Sequence, residues 1–435
     1  MPNPLRIGLA GLGTVGASVI RLLDRQAAAL TARTARRIEV VAVNARDPSK
    51  DRGVDLSRAK WFDDPLALAR SPDIDIFVEL IGGADGPALA CVEAALAAGK
   101  SCVTANKALL AKHGLRLARL AEQTGAALSF EASVAGGIPI VKTLREGLAG
   151  NSIERVYGIL NGTCNYILSR MEREGLSFSD CLAEAQRLGY AEADPSFDIG
   201  GFDTAHKLAI LTSLAFGVTV DADAVDVEGI ETIRLADLEA ADELGYRVKL
   251  LGVARRTPDG VEQRVHPTMV PKSSAIAQVM GVTNAVTIDA DAVHELTLVG
   301  PGAGGEATAS AVVADIADIA RGVRSKPFGL PTSELAPLEP APMQLHLGGY
   351  YVRLTAYDRP GAAAAIATRF AERDISLESI VQRRRPGVED GPAGTAPVIL
   401  ITYATHEKTL REALEAAVAD GFLAEKPQFI RIERE

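Results

Sequence analysis

"LRIGLAGLGTVGASVIRLL", residues 5–23, passes from a short apolar run through a glycine-rich turn into a helical pattern. Leu5 to Ala10 reads as a buried strand, and Val15, Val19, Leu22 and Leu23 recur at helical spacing. Gly11, Gly13 and Gly16 spell G-x-G-x-x-G between the two. Gly11 permits the tight turn, Gly13 the close approach of backbone to a pyrophosphate, and Gly16 the close packing of helix on strand. The first turn of the helix then offers free N–H groups to phosphate oxygens. Placed between strand and helix, the turn predicts a dinucleotide site. The alternative is a glycine-rich strand–helix connection that holds no ligand.

Further strands follow in "RIEVVAVNAR", "DIDIFVEL", "SCVTAN" and "AALSFEA", separated by Ala/Leu-rich helical segments. Strand and helix alternating at this pitch make an α/β domain with a parallel, doubly wound sheet over residues 1–130. Residues 131–305 differ in texture, with acidic and glycine-rich loops, an apolar helix, and strands such as "YRVKLLGVARR" and "AVTIDADAV". A long helix over 306–322 is expected to pack back on the first domain. "SKPFGLPTSELAPLEPAP" lacks periodicity, and residues 323–349 read as a proline-rich linker. Residues 350–435 read strand, helix, strand, strand, helix, strand, a βαββαβ unit.

The second strand ends Val43-Asn44-Ala45-Arg46, with Lys50 beyond. An acidic residue there serves the ribose hydroxyls of NAD, whereas Arg46 and Lys50 suit a 2′-phosphate. NADP is therefore favoured over NAD. The alternative makes these solvated loop charges, with Asp47 as a partner. Composition narrows the partners further. A net charge of -10 over 435 residues argues against nucleic acid or an anionic membrane surface. Cys91, Cys102, Cys164 and Cys181 show neither CxxC nor metal spacing, so no disulfide framework or zinc is indicated. With no long apolar run, the chain reads as cytoplasmic.

"DIGGFDTAHKLAIL", residues 198–211, carries Lys207 in a helix that is apolar on almost every side. Such a helix is buried, and an unpaired ammonium there is expensive. Asp203 lies one turn earlier on the same face, where the helix dipole also favours a carboxylate. The preceding loop adds Glu192, Asp194 and Asp198. These groups read as a site, against the alternative of a plain ion pair on a half-exposed helix. Lys107 stands just after the fourth strand, at the carboxyl edge of the first sheet. Two ammonium groups facing one pocket lower each other's pKa, and such a lysine can protonate the alkoxide formed by hydride transfer to a carbonyl. His113 and His206 read as structural.

The stretches "GLGTVG", "TANKALL", "FEASVAGGIPI", "LNGTCNYIL", "GYAEADPSFDIGGFDTAHKLAIL" and "GPGAGGEATASAVVADI" together resemble homoserine dehydrogenase over essentially the whole chain. The last module resembles an ACT domain. The resemblance implies a Rossmann-type first domain, an α+β domain for catalysis and dimerisation, and a ferredoxin-like C-terminal module. It implies NADPH-dependent reduction of L-aspartate 4-semialdehyde to L-homoserine, on the route to threonine, methionine and isoleucine. Lys207 would then be the proton donor, Asp203 its partner, and Lys107 a contact to substrate and nicotinamide. Glu192, with Thr163, Tyr190 and Asp198, would hold the substrate. Thr14, Val15, Gly189 and Gly305 would lie against the cofactor. A monovalent cation, sodium or potassium, would sit at Glu131, Val134, Gly136 and Ile138. A homodimer or homotetramer is implied, as is threonine acting at the ACT module, where the "DRPG" turn from Asp358 to Gly361 frees backbone N–H groups. Another NADP-dependent reductase of amino-acid semialdehydes or iminium compounds and a non-catalytic sensor of nucleotide and amino acid remain as rivals; a phosphorylating semialdehyde dehydrogenase would need Cys164 as nucleophile, and no histidine stands beside it in sequence.

Overall fold

The structure is a computed structural model that describes residues 3–382 and 394–433. Its first sheet has six parallel strands in the order Lys60–Trp61, Ile38–Asn44, Leu5–Ala10, Ile76–Glu79, Ser101–Thr104, Leu128–Ser129. Lys60–Trp61 is absent from the sequence reading because two residues carry no periodicity. Strand order reverses between Leu5–Ala10 and Ile76–Glu79, which puts the glycine turn at the switch point of the sheet.

Helix Thr14–Arg25 buries Val19, Ile20 and Leu23 in one apolar core with Leu5, Ile7 and Leu9. Ala309, Val312 and Ile316, from helix Gly305–Ala320, complete that core. The helix that follows the second domain in sequence therefore does return to the first.

Among the described residues the second sheet has eleven strands. Its main path begins His294–Pro301, Thr283–Ala290, Ile153–Ile159, Tyr246–Thr257, Gly260–Pro271. It continues, without a break, into Gln428–Ile432, Leu347–Tyr357, Thr395–Thr402 and Leu377–Gln382. The last four strands belong to the C-terminal βαββαβ unit, whose helices Ala362–Ala371 and Glu407–Ala419 pack Ile366, Phe370, Leu410 and Leu414 over Tyr350, Val352 and Leu400. Its second strand, expected over 375–384 from "ISLESIVQRR", ends at Gln382, and residues 383 and 384 lie outside the described residues.

A module tethered by a free linker is thus not what the chain builds. Thr268 and Met269 pair in parallel with Arg431 and Ile432, joining the two halves into one sheet. The proline-rich segment is a strap. Phe328 is buried against Phe130, Thr332 donates to Glu122, and Ala336 and Pro340 bridge to Val218 and Val261. Proline denies this segment a regular ladder, but Phe328 and Leu335 still find cover. Among the described residues no helix is long and apolar enough to cross a membrane.

Candidate active site

Two uncapped helix N-termini meet at the glycine turn. Helix Thr14–Arg25 has Gly13 as N-cap and no side-chain cap, and no acid occupies its first turn. Helix Gly305–Ala320 likewise starts without a side-chain cap. A Cβ on Gly305 would lie 2.8 Å from both Thr14 Cγ2 and Ser18 Oγ, so this glycine lets the two ends approach. Gly11 sits at φ +101°, and a Cβ there would meet the Leu80 carbonyl at 2.2 Å. A Cβ on Gly16 would fall 2.1 Å from the Gly11 carbonyl oxygen, whereas one on Gly13 would face open space. Gly13, Thr14 and Val15 therefore present an open backbone surface with unclaimed N–H groups, a cradle that fits a pyrophosphate.

Ala45, Arg46 and Lys50 follow strand Ile38–Asn44, and Arg46 is exposed with no hydrogen bond or ion pair among the described residues. Asp47 does not pair with it. The Asp47 carboxylate accepts from Ser49 N and Oγ at 2.8 and 2.7 Å, bonds that hold it below the usual carboxylate range. Arg52, which the sequence reading passed over, donates to the Leu12 carbonyl at 3.1 Å and lies over Trp61. It ties the basic loop to the glycine turn.

Lys107 opens helix Lys107–Thr124 at the carboxyl edge of strand Ser101–Thr104. A buried set unnoticed in the sequence sets its position. Thr104 Oγ1 donates to Glu79 Oε2 at 2.5 Å, Asn106 N donates to Thr104 Oγ1 at 3.0 Å, and the Asn106 side chain accepts from Leu109 N. From there the Lys107 ammonium reaches Asp203 Oδ1 at 2.9 Å.

Asp203 receives the second lysine on its other oxygen: Lys207 Nζ donates to Asp203 Oδ2 and to the Leu160 carbonyl, both at 2.7 Å. The ammonium that looked misplaced in an apolar helix is held by two acceptors and is only 12% exposed. Burial alone would raise the Asp203 pKa, but the two ammonium groups hold its carboxyl well below the ordinary range. Both lysines thus come to one carboxylate, and a fixed anion stands between them. Gly201, at φ +88°, starts helix Phe202–Phe216 and brings Asp203 into the first turn, where the dipole also favours the anion.

Asn161 is the residue whose importance the sequence did not reveal. It ends the strand Ile153–Ile159 region as N-cap of helix Gly162–Glu174, accepting from Cys164 N at 2.8 Å. Its amide donates to Asp198 Oδ1 at 2.8 Å and to Asp203 Oδ2 at 3.0 Å. Burial, then the Asp203 charge, push Asp198 above the usual carboxylate pKa. An asparagine before a helix reads as a cap and nothing more, so only the folded loop exposes its second task.

The acidic loop converges less than its composition suggests. Asp198 joins the cluster, but Glu192 and Asp194 are exposed, and Asp194 accepts from Ser196 N in a local turn. Turn formation engages the Asp194 carboxylate within its own loop. Thr163 donates to the Tyr190 carbonyl at 2.6 Å, and the Tyr190 ring packs edge-on against Tyr166. Gly189, at φ +77°, precedes them on the surface. His113 pairs with Asp85 at 2.9 Å, and His206 packs edge-on against Phe197. Burial, then Lys107, lower the pKa of His206.

Glu131 is buried, and its two carboxylate oxygens accept from Val141 N and Lys142 N at 2.8 and 2.9 Å. Burial, reinforced by Asp315, pushes its pKa up to about 7. Gly136, at φ +55°, lies so near the Gly302 carbonyl that a Cβ would meet it at 2.4 Å. Among the described residues no group of three or more His, Cys, Asp or Glu is placed to hold a metal. Any ion here would therefore rely on backbone oxygens around one acid, a donor set that suits a weakly held monovalent cation.

Cys164 is fully buried, and its Sγ donates to the Asp198 carbonyl at 3.2 Å. Burial, then Asp198 and Asp203, push its thiol well above the ordinary value. Such a thiol is inert as a nucleophile.

Comparisons with known proteins identify the family. Models of the homoserine dehydrogenase NAD-binding domain, of homoserine dehydrogenase, and of the ACT domain match residues 11–131, 139–317 and 350–419. The chain is 44% identical to the homoserine dehydrogenase of Pseudomonas aeruginosa over 440 residues, covering 99% of each chain. It is 44% identical to that of Neisseria gonorrhoeae, again with 99% of each covered. Its structure is similar to that of a homoserine dehydrogenase from Thiobacillus denitrificans, with a TM-score of 0.92, 44% identity, and 99% and 98% coverage. It is also similar to a hyperthermophilic archaeal homoserine dehydrogenase in complex with NADPH, with a TM-score of 0.64 and 27% identity over 74% of this chain and 99% of that one. A Rossmann-type domain, a mixed-sheet catalytic domain, an ACT domain and more than two-fifths identity along the whole length place the chain in the homoserine dehydrogenase family, as an NAD(P)-dependent oxidoreductase acting on a CH–OH group.

Proposed function

We propose that the chain interconverts L-aspartate 4-semialdehyde and L-homoserine, with NADPH preferred, Lys207 as proton donor and Lys107 as a contact to substrate and nicotinamide. The observation that carries this reading is the carboxylate of Asp203, buried and bonded by Lys107 from the first domain and Lys207 from the second. A bound nicotinamide supplies or accepts the hydride. Lys207 places its remaining N–H toward the developing alkoxide and gives up a proton at that oxygen. Asp203 and the Leu160 carbonyl hold its ammonium in one orientation. Lys107, with one bonded partner and a 34% exposed side chain, can reach substrate and solvent together. Glu192, on the exposed loop that follows Tyr190, suits the α-ammonium of the substrate, with Thr163, Tyr190 and Asp198 as further contacts.

Unpaired Arg46, with Lys50 nearby, supports NADP(H) over NAD(H), as does the NADPH in the archaeal relative. The buried carboxyl of Glu131 supports a sodium or potassium ion at Glu131, Val134, Gly136 and Ile138. The exposed edge of the catalytic sheet, His294–Pro301, where Val299 is 55% exposed, supports assembly of two or four copies through this domain. The ACT module supports threonine as a feedback effector, and the proposed reaction would serve cytoplasmic synthesis of threonine, methionine and isoleucine.

The test is homoserine-dependent reduction of NADP and NAD, measured side by side for the wild type and Lys207→Ala. Turnover favouring NADP should fall by roughly 10²- to 10⁴-fold in the variant, the span for loss of a general acid. Coenzyme binding should stay nearly intact. Full turnover in Lys207→Ala would remove this lysine from the chemistry.

A further inference from the structure

Asn284 is a buried polar residue left unsatisfied. It is 1% exposed, and its Oδ1 is enclosed without a hydrogen-bond partner, an expensive state for an acceptor. Strand Thr283–Ala290 sets its direction. Asn284 pairs opposite Gly300 and shares a face with Val286 and Ile288, which belong to the apolar core that holds Leu160 and Leu208. That face looks toward the catalytic helix Phe202–Phe216. The approach to the strand is pinned as well. Asn165 Nδ2 donates to the Val279 and Thr283 carbonyls at 3.2 and 3.1 Å, and Gly281 N donates to Ser169 Oγ at 3.1 Å.

Two segments of the site close on this carboxamide. On one side lies Gly302, where a Cβ would fall 2.0 Å from both Cγ and Nδ2 of Asn284. Further along the same loop, Gly305 opens the helix packed on Thr14 and Ser18 at the pyrophosphate cradle. On the other side lies Gly162, where a Cβ would fall 3.6 Å from Asn284 Oδ1. Gly162 follows Leu160, whose carbonyl takes Lys207, and Asn161, which bonds Asp203. Asn284 therefore stands between the cradle and the lysine cluster, the interval that a nicotinamide ring must occupy to meet the substrate.

We propose that Asn284 is a specificity-determining residue of the coenzyme site, whose carboxamide pairs with the carboxamide of the nicotinamide ring. The inference rests on the NADP(H) reading of the site and names a residue for the reactive end of that coenzyme. Chemistry selects the ligand group. The ends of the amino-acid substrate are an ammonium and a carboxylate, which charged side chains hold best. A neutral primary amide is matched by another, Oδ1 accepting one N–H and Nδ2 donating one in return. An acceptor unpaired in the protein alone gains its bond on binding, so it favours the ligand that carries an N–H there. Pairing at this point fixes the rotation of the ring about its glycosidic bond, and with it the ring face turned to the aldehyde carbon.

The full-length chain is titrated calorimetrically with NADPH, with its acetylpyridine analogue, and with 2′-phospho-ADP-ribose. The analogue carries a methyl ketone in place of the carboxamide, and the third compound lacks the ring altogether. Wild type, Asn284→Ala and Asn284→Leu are compared, with a melting temperature for each. Wild type is expected to bind NADPH about tenfold tighter than the ketone, the net worth of one or two hydrogen bonds. In the variants that preference should shrink to about twofold or less. The ring-less compound should bind all three proteins equally. Asn284→Leu should melt no lower than the wild type, because an unpaired buried acceptor is removed. Equal binding of NADPH and ketone by the wild type, or a preference unchanged in the variants, would overturn the pairing and leave the dehydrogenase reading standing. Weaker binding of the ring-less compound in the variants would also overturn it, by showing that Asn284 only shapes the loop. Loss of folding in both variants would do the same. If the wild type binds none of the three compounds, the coenzyme reading fails together with the pairing.

Discussion

Asn161 spends one amide on two carboxylates and its carbonyl oxygen on a helix cap. Alanine there removes all three bonds and leaves Asp198 and Asp203 facing each other without the shared donor. Asn161→Ala is expected to lower stability by about 1–3 kcal/mol, combining a lost cap with a buried acceptor left unmade. It should also lower kcat by roughly 10²-fold, because the Asp203 carboxylate that aims Lys207 is released. Steady-state kinetics beside thermal unfolding test this, and a stability loss with unchanged kcat would confine Asn161 to capping. Lys207 was legible in the sequence because an ammonium contradicts an apolar helix. Asn161 was not, because a polar residue at a strand–helix junction contradicts nothing.

Among the elements, the strand–turn–helix of residues 5–25 was readable because each glycine answers a distinct steric demand. Those demands can be separated by experiment. Gly16→Ala drives a methyl to 2.1 Å from the Gly11 carbonyl oxygen, so the first domain should lose stability by about 1–3 kcal/mol, the usual cost of overpacking. Gly13→Ala meets open space and should leave the melting temperature of the free protein unchanged while weakening NADPH at least tenfold. Calorimetry and thermal unfolding of the pair decide it. Undiminished NADPH affinity in Gly13→Ala would move the pyrophosphate off this turn. Strand Gly260–Pro271 was missed for the opposite reason. It carries Glu262, Arg264, His266 and two prolines through a buried position, a composition that reads as loop. Those charges are answered by Glu433 and His346 from the C-terminal half, partners that no local pattern can announce.

At the scale of the whole molecule the seam between the catalytic domain and the C-terminal module is held by ions as well as by strand pairing. Arg431, 1% exposed, bonds Glu407 and Glu228 through four contacts of 2.8 to 3.0 Å. Arg353 meets Asp237 in the same way across the two halves. Arg431→Met would leave buried Glu407 and half-buried Glu228 with Arg411 as their remaining cation and should destabilise the chain by about 3 kcal/mol, the lower end for a broken buried pair. The C-terminal module should become the first part to open, read by hydrogen exchange over 347–382 and 394–433. Protection equal to wild type would show that strand pairing alone holds the seam. A cation at Glu131 is testable globally too: melting temperature should rise in sodium chloride relative to choline chloride at equal ionic strength, and Glu131→Ala should abolish the difference. Identical melting in the two salts would remove the cation from this site.

The sequence by itself determined the parallel sheet, the glycine turn, a long helix near 306–322 and the βαββαβ unit, since periodicity and turn chemistry are local properties. It also marked Lys107, Asp203 and Lys207, through position on an edge and contradiction with an apolar face. Only the tertiary structure decided that one buried carboxylate separates the two lysines, and that Asn161 steadies it. Only the tertiary structure turned the linker into a strap and fused the ACT strands to the catalytic sheet. Those outcomes depend on pairs far apart in sequence, such as Lys107 with Asp203 and Thr268 with Arg431, whose meeting follows from global packing and leaves no periodic trace.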